Sequence, residues 1–282
     1  MGKPRAIIFG AGISGMAVLS NIKESFEVIA FIDNDERKWG TTAHGNIPIH
    51  PPSIVEDATF DMIFVGSYAG LGPMSEQLVR MGVPPAKIDS QFALVTIKSR
   101  IRFLENLKTM FDEKGIDGSV AEGGVFQGEF AKEINRVFPD RSLYLFDTFT
   151  GFDSRDVEIE KRENFSSTQA GHFNITNVEL VLAKMPNREM CIVKEGFFPE
   201  TTKGVDDTFC FVNLDFDLYQ PILAGLEFFV PKMVRGGVVL VDDYFAGGYK
   251  GARQAVVDFT KINLDVKVFP IGDGNSVAVL CP

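Results

Sequence analysis

Residues 209–244 read FCFVNLDFDLYQPILAGLEFFVPKMVRGGVVLVDDY. Residues 209–214 are a short apolar run, of the kind that fills a strand buried on both faces. Asp215 and Asp217 stand where that strand stops. Pro221 suits the first turn of a helix, and Ile222, Leu226, Phe229 and Met233 recur at helical spacing. Arg235-Gly236-Gly237 is the expected end of that helix, and residues 238–241 are a second buried run closed by Asp242-Asp243-Tyr244. A strand–helix–strand unit predicts two parallel strands with a right-handed crossover, which puts both acid clusters at the same carboxyl edge of one sheet. Neighbouring strands lie about 4.8 Å apart. Asp215, Asp242 and Asp243 could then share one hard cation, such as octahedral magnesium. Open α/β sheets hold their ligands at this edge. A single aspartate here would read as a helix cap or turn residue; four at matching strand ends read as a site.

Outward from this unit, the chain is long enough, at 282 residues, for two compact domains. Lysine and arginine number 28 and aspartate and glutamate 38, a formal charge of −10. That balance argues against binding nucleic acid or an anionic membrane, which reward positive patches. No apolar run approaches the ~20 residues of a spanning helix. The chain enters a strand directly after MGKP, so no signal peptide is expected and a cytoplasmic location is. Cys191, Cys210 and Cys281 are scattered in apolar runs, which fits buried reduced thiols. His44, His50 and His172 are too dispersed to form a metal centre by spacing.

The N-terminal part opens with a strand at residues 5–9 that runs into Gly10-Ala11-Gly12-Ile13-Ser14-Gly15, a G-x-G-x-x-G match. A helix is expected at 16–23 and a second strand at 28–32, ending in Asp33. Strand, glycine turn, helix and a post-strand acid are the setting in which such a turn holds a phosphate and the acid a ribose. A further strand at 61–66 and a helix at 74–81 complete about half of a dinucleotide fold. No tyrosine is followed four places on by a lysine, so the catalytic pair of short-chain dehydrogenases is missing. Phe31-Ile32-Asp33-Asn34-Asp35, Lys38-Trp39-Gly40 and Gly45-Asn46-Ile47-Pro48 resemble the N-terminal nucleotide-binding modules of bacterial sugar-modifying enzymes, over roughly residues 4–90. A module that has lost its ligand, or that only mediates assembly, fits the same residues.

Ile97, Ile101, Leu104, Leu107 and Phe111 mark an amphipathic helix leading out of this module. The expected domains are therefore residues 1–95 and 96–282. The second begins with a strand at 119–125, a glycine turn through Gly123, Gly124 and Gly128, a helix, and a strand at 142–146 ending in Asp147. Residues 153–174 read as a polar, irregular lid. Thr176-Asn177-Val178-Glu179 reads as a capping box, 190–193 as a strand and 251–262 as a helix. Residues 266–270 and 276–280 form a terminal hairpin.

Four ordered motifs carry a resemblance. Ala121-Glu122-Gly123-Gly124-Val125-Phe126-Gln127-Gly128 looks like a cofactor loop, and Leu145-Phe146-Asp147-Thr148-Phe149-Thr150-Gly151-Phe152 like "DSFxGLP". Glu195-Gly196-Phe197-Phe198-Pro199-Glu200-Thr201 looks like "kGxFxdT", and Leu214-Asp215-Phe216-Asp217-Leu218-Tyr219 with Val241-Asp242-Asp243-Tyr244 like "LDxDLY…DDY". Together they resemble the macrocin-type O-methyltransferases, over about residues 98–282. The resemblance implies an α/β chain of two Rossmann-like domains, the second a class I S-adenosylmethionine methyltransferase sheet with a terminal antiparallel hairpin. It implies S-adenosylmethionine and Mg2+ as cofactors and a sugar hydroxyl, free or in a nucleotide sugar, as acceptor. The N-terminal module and the residue 153–175 lid depart from the family pattern, which leaves the acceptor open.

Carried onto this sequence, the cofactor residues are Glu122, Gly123, Gly124, Asp147, Thr148, Phe149, Glu195, Gly196 and Asp215. Asp147 suits the ribose hydroxyls, Gly124 a close backbone approach to the methionine moiety, and Glu195 the adenosine end. Mg2+ falls to Asp215, Asp242 and Asp243, where it would acidify substrate hydroxyls. Asp217 is the candidate general base and His172 its rival. Gly10, Gly12, Gly15 and Asp33 are the candidate nucleotide residues of the first module. A homo-oligomer is expected. Two other functions fit parts of the chain: an NAD-dependent sugar oxidoreductase using the first glycine loop, and a non-catalytic nucleotide-binding scaffold.

Overall fold

The structure is a computed structural model that describes residues 2–43, 46–66 and 71–281. His44 and Gly45, read above in the sequence, lie outside the described residues. The chain divides into two compact units, Met1–Lys98 and Ser99–Pro282.

The first unit contains β1 (Arg5–Phe9), α1 (Ile13–Ile22), β2 (Glu27–Ile32), β3 (Thr42–Ala43), β4 (Ile47–His50), β5 (Met62–Val65), α2 (Leu71–Arg80) and β6 (Ile88–Asp89), and α3 (Gln91–Lys114) begins in it. Its sheet has the order β3-β4-β2-β1-β5-β6, parallel apart from β3 against β4. Ile7 and Phe9 of β1 are buried in one cluster with Ile63 and Val65, and Ala6 and Ile8 in another with Val18 and Leu19. Burial on both faces is why β1 reads as unbroken apolar sequence rather than alternating. The sheet is more complete than the half-fold expected, having six strands. β3, β4 and β6 are two to four residues long, too short to carry a period.

The second unit contains β7 (Ser119–Gly123), α4 (Glu129–Val137), β8 (Leu143–Asp147), α5 (Ser154–Arg162), α6 (Val178–Leu182), β9 (Cys191–Glu195), β10 (Phe209–Leu214), α7 (Tyr219–Phe229), β11 (Met233–Val241), α8 (Lys250–Ile262), β12 (Lys267–Pro270) and β13 (Val277–Leu280). The strand order is β12-β13-β11-β10-β7-β8-β9. β13 is antiparallel to both of its neighbours, and the other pairs are parallel. β10 lies between β7 and β11, and all six of its residues are buried. One face of this sheet is covered by α7 and α8 through Ile222, Leu226, Phe229, Ala255, Val256 and Phe259. Phe229 meets Phe209 and Phe146 edge-on, with centroids 5.1 and 5.7 Å apart.

Three local expectations are corrected. Arg235-Gly236-Gly237 does not end α7; the helix stops at Phe229, a 3-10 turn follows at Val230–Lys232, and the glycines belong to β11. They sit where the β10–β11 register shifts, and Gly236 has φ +83°. Residues 153–174 are not irregular throughout, because 154–162 form α5. Asp153 caps that helix by accepting from the Arg155 amide, and Asp156, Val157 and Glu160 form its buried face. Thr176 is not the cap of α6: Asn177 is, accepting from the Leu180 amide, while the Thr176 hydroxyl donates to the Phe126 carbonyl.

Candidate active site

The carboxyl ends of β7, β8, β9 and β10 border a cavity that opens to solvent, with about 580 Å³ of space including its mouth. β7 leaves the sheet through Gly124, whose φ is +83°. A Cβ on Gly124 would collide with the backbone carbonyl of Asp215. Glycine is therefore required because the turns after β7 and β10 touch, a closer constraint than room for a ligand. β8 ends in Asp147, which accepts from the amides of Phe126 (2.8 Å) and Phe149 (2.7 Å). Burial pushes the Asp147 carboxyl up, opposed by these amide donors. Gly124, Asp147, Thr148, Gly196, Asp215 and Asp217 line the cavity. Of the other expected cofactor residues, Gly123 is held against the Phe216 ring and Phe149 is buried behind Asp147. Glu195 is exposed, in register with Asp147.

β10 and β11 bring the acids together as the crossover predicts: Leu214 is in register with Val241, and the Asp242 amide donates to the Leu214 carbonyl at 2.9 Å. The carboxylates that share one space are Asp215, Asp217 and Asp243, with oxygens all within 4.8 Å of one another. Burial, then the charges of neighbouring acids, push the carboxyls of Asp215 and Asp217 well up, and that of Asp243 up. Asp217 and Asp243 both adopt left-handed backbone, φ +62° and +57°. Non-glycine residues held there store strain, which clusters at functional sites. Three mutually repelling hard oxygen donors fit a divalent hard cation.

Asp242, expected in the metal set, is engaged elsewhere. Its Oδ2 accepts from Arg100 Nη1 at 2.6 Å, and its Oδ1 from Asn275 Nδ2 (2.8 Å) and Ser276 Oγ (2.7 Å). Burial alone would raise the Asp242 carboxyl; the Arg100 charge and the Ser276 hydroxyl outweigh it, and the net shift is downward. Arg100, itself 7% exposed, also donates to Asn213 Oδ1 at 3.1 Å and lies 3.6 Å from Asp215 Oδ2. Its guanidinium sits 4.4 Å over the Phe130 ring. Asn213 Nδ2 donates in turn to Glu122 at 2.9 Å. Glu122, expected at the cofactor, is thus a member of this buried network and does not line the cavity. Burial pushes its carboxyl up to about 8.

His172 does not line the cavity; its Nδ1 is 3.2 Å from Thr168 Oγ1, and its ring stacks on Phe173. The segment it belongs to is tied to the loop that follows β7. Besides Thr176 on Phe126, Gln127 donates to the Ile175 carbonyl, and the Phe126 and Phe173 rings meet at 5.1 Å. Arg100, Asn213, Asn275, Ser276, Phe126, Phe173 and Asp156 were not singled out from sequence. A buried arginine in a helix facing acids 142 positions away leaves no local signal.

In the first unit, Gly15 packs so closely on Gly10 that a Cβ would collide with the Gly10 carbonyl. Gly12 caps α1, and its Cβ direction is open. Asp33 already accepts from the Ala11 amide (2.8 Å), the Asp35 amide (2.9 Å) and Lys38 Nζ (2.9 Å). It braces the glycine loop as Asp147 does the loop of the second unit.

Comparison with known proteins agrees with this layout. Residues 2–89 match the "C2185-like, N-terminal" family. The 8-demethyl-8-(2,3-dimethoxy-alpha-L-rhamnosyl)-tetracenomycin-C 4'-O-methyltransferase of Streptomyces olivaceus is 26% identical over 162 residues, 51% of this chain and 59% of that protein. The chain thus spans less than two thirds of that relative's length. The O-methyltransferase NovP and the calicheamicin methyltransferase CalS11 share the fold, each at 20% identity and TM-score 0.52, over 65% of this chain and 79% of theirs. Residues 89–272, more than half of the chain, match the macrocin-O-methyltransferase (TylF) family, and the chain belongs to that family.

Proposed function

We propose that the protein is an S-adenosylmethionine-dependent O-methyltransferase acting on a sugar hydroxyl, in a nucleotide sugar or in a polysaccharide or natural-product precursor. The observation that carries this reading is the lining of the cavity. Five aspartates, Asp147, Asp153, Asp156, Asp215 and Asp217, border it, and no lysine, arginine or histidine does among the described residues. Such a wall favours a sulfonium donor and a neutral polyol and opposes anions. A diphosphate on the acceptor would lie outside it. The name of the Streptomyces relative, a methyltransferase of a rhamnosyl 4'-hydroxyl, agrees with a sugar acceptor.

In the transfer, a lone pair of the acceptor oxygen forms the new bond to the methyl carbon as the carbon–sulfur bond breaks, and the hydroxyl proton passes to a base. Asp217, which lines the cavity beside Asp215, is the proposed acceptor of that proton. Such a base contributes about 10²–10⁴-fold. Asp215 and Asp243, with Asp217 in reach, are the carboxylates that would hold Mg2+. An ion held there would supply Lewis acidity that lowers the pKa of an acceptor hydroxyl. Asp147 holds the ribose, and Phe126, Phe152 and Phe173 exclude water. The glycine loop of the first unit is proposed to hold the nucleotide part of the acceptor.

The test is a methyl-transfer screen with S-adenosylmethionine and Mg2+ against nucleotide sugars and glycosides, read by mass spectrometry. A gain of one methyl on a sugar, lost in chelator, is expected. No methylated product from any sugar, by a protein whose melting temperature S-adenosylmethionine raises, overturns the acceptor class. Titration of nucleotide sugars with no heat change counts against a ligand in the first unit.

A further inference from the structure

Asp217 stands at the apex of an unusual turn. The Leu218 amide donates to the Phe216 carbonyl at 2.7 Å, which closes a three-residue turn around Asp217, φ +62°. Such a turn with positive φ at its centre is rare and strained, and it persists only where the surrounding structure over-determines it. The turn runs straight into α7, whose cap position is Leu218, buried and without a side-chain acceptor to offer. Serine, threonine, aspartate or asparagine is the usual residue there.

The missing acceptor comes from α5. Glu160 is fully buried, and its Oε1 accepts from the Tyr219 amide, the first of α7, at 2.8 Å. A carboxylate at a helix N-terminus is favoured by the helix dipole. A Cβ on Gly251, in the first turn of α8, would collide with both Glu160 Oε1 and the Tyr219 nitrogen, so α5, α7 and α8 meet at this one bond. Just past α5, the Phe165 ring lies 5.2 Å from the Tyr219 ring, and the Phe165 carbonyl accepts from the Lys250 amide at 3.2 Å. Glu160 Oε2 has no hydrogen-bond partner among the described residues. A buried carboxyl with one oxygen unpaired is a costly helix cap. A polar residue at position 218 would end α7 at less cost; an acceptor 59 positions away also fixes where the turn stands. The other two carboxylates have holds of their own: the Asp215 amide donates to the Gly123 carbonyl at 2.8 Å, and Asp243 Oδ1 accepts from Asn275 at 2.9 Å. Resting on the reading of Asp215, Asp217 and Asp243 as the carboxylates of one cation, with Asp217 as base, we propose that Glu160 is a positioning residue for Asp217. Through the Tyr219 amide it holds the strained turn that keeps the Asp217 carboxylate within 4.8 Å of the other two.

The experiment is calorimetric titration of the full chain with Mg2+ alone, for the parent, Glu160→Gln, Glu160→Leu, Asp217→Asn, and Glu160→Leu combined with Asp217→Asn. Glu160→Leu should weaken Mg2+ binding about tenfold, as when a group that orients a metal-binding carboxylate is removed. Glu160→Gln keeps an oxygen for the Tyr219 amide and should stay within about twofold of the parent. Once Asp217→Asn is in place, Glu160→Leu should change the affinity by less than about twofold, because residues that act as a unit are not additive. Should Glu160→Leu fail to melt cooperatively, Gly251→Ala takes its place, pushing Glu160 off the Tyr219 amide while every carboxylate remains, with the same losses expected. Equal losses with and without Asp217 would mean a general loosening of the fold and overturn the assignment. So would a folded Glu160→Leu variant that binds Mg2+ as the parent does. If the parent binds no Mg2+, the cation reading falls and this assignment with it.

Discussion

Asp242 and Asp243 are neighbours in sequence with opposite surroundings. Asp242 neutralises Arg100, while Asp243 faces two other carboxylates. Asp242→Asn should leave a buried guanidinium short of its partner and cost about 3–5 kcal/mol in a urea melt. Asp243→Asn removes repulsion, so its fold should be at least as stable as the parent's while Mg2+ affinity drops in calorimetry. Equal destabilisation by both would mean that Arg100 does not distinguish them. Glu122 gives a pH test. Its folded-state carboxyl is raised from the usual 4.5 to about 8 by burial, against Asn213 and Arg100. The folded state thus holds the proton more tightly than the unfolded chain. The stability this contributes is present below about pH 4.5 and lost as pH rises toward 8. Glu122→Gln, which mimics the protonated acid, should flatten the fall in stability over that range in melts at stepped pH. Asp215, Asp217, Asp242 and Asp243 were legible as a group because each stands at a strand end. Which of them share one space was not, since Arg100 decides it from far along the chain.

Among the elements, the turns after β7 and β10 lock against each other at Gly124. Gly124→Ala forces a side chain onto left-handed backbone and into the Asp215 carbonyl, at about 2–5 kcal/mol. Both cofactor and metal binding should weaken in that variant, because the displaced turn carries Asp215. A variant with parent-like melting and titration would show the contact to be soft. β10, β13 and the inward faces of α7 and α8 were readable because buried runs and helical spacing survive in sequence. α5 was not, because its inner face uses Asp156 and Glu160, which composition reads as a polar loop. The early start of β11 was hidden by its glycine pair, which looks like a helix stop and is a register shift.

For the whole molecule, the division falls inside α3, so a cut there would break a helix. The part of α3 that belongs to the second unit contributes Arg100, Leu104, Leu107 and Phe111, all buried. A fragment of residues 91–282 should therefore melt cooperatively and gain stability with S-adenosylmethionine. One starting at residue 116 should lose both, since it lacks the arginine on Asp242 and the Phe111 packing. Circular dichroism with and without S-adenosylmethionine separates these outcomes; a cooperative, cofactor-responsive 116–282 fragment would contradict the role given to α3. Sequence gave no sight of this dependence, because the helix reads as a linker until its partners are known.

No membrane-crossing helix occurs among the described residues. Arg100 never gives up its proton at physiological pH; burial works against its charge, but Asp242, Asp215, Asp273 and Glu122 hold it charged. The sheet edge thus carries a resident counter-charge made by the ribosome along with the acids it steadies. Folding of this edge need not wait for an ion, because the charge that steadies Asp242 arrives with the chain itself.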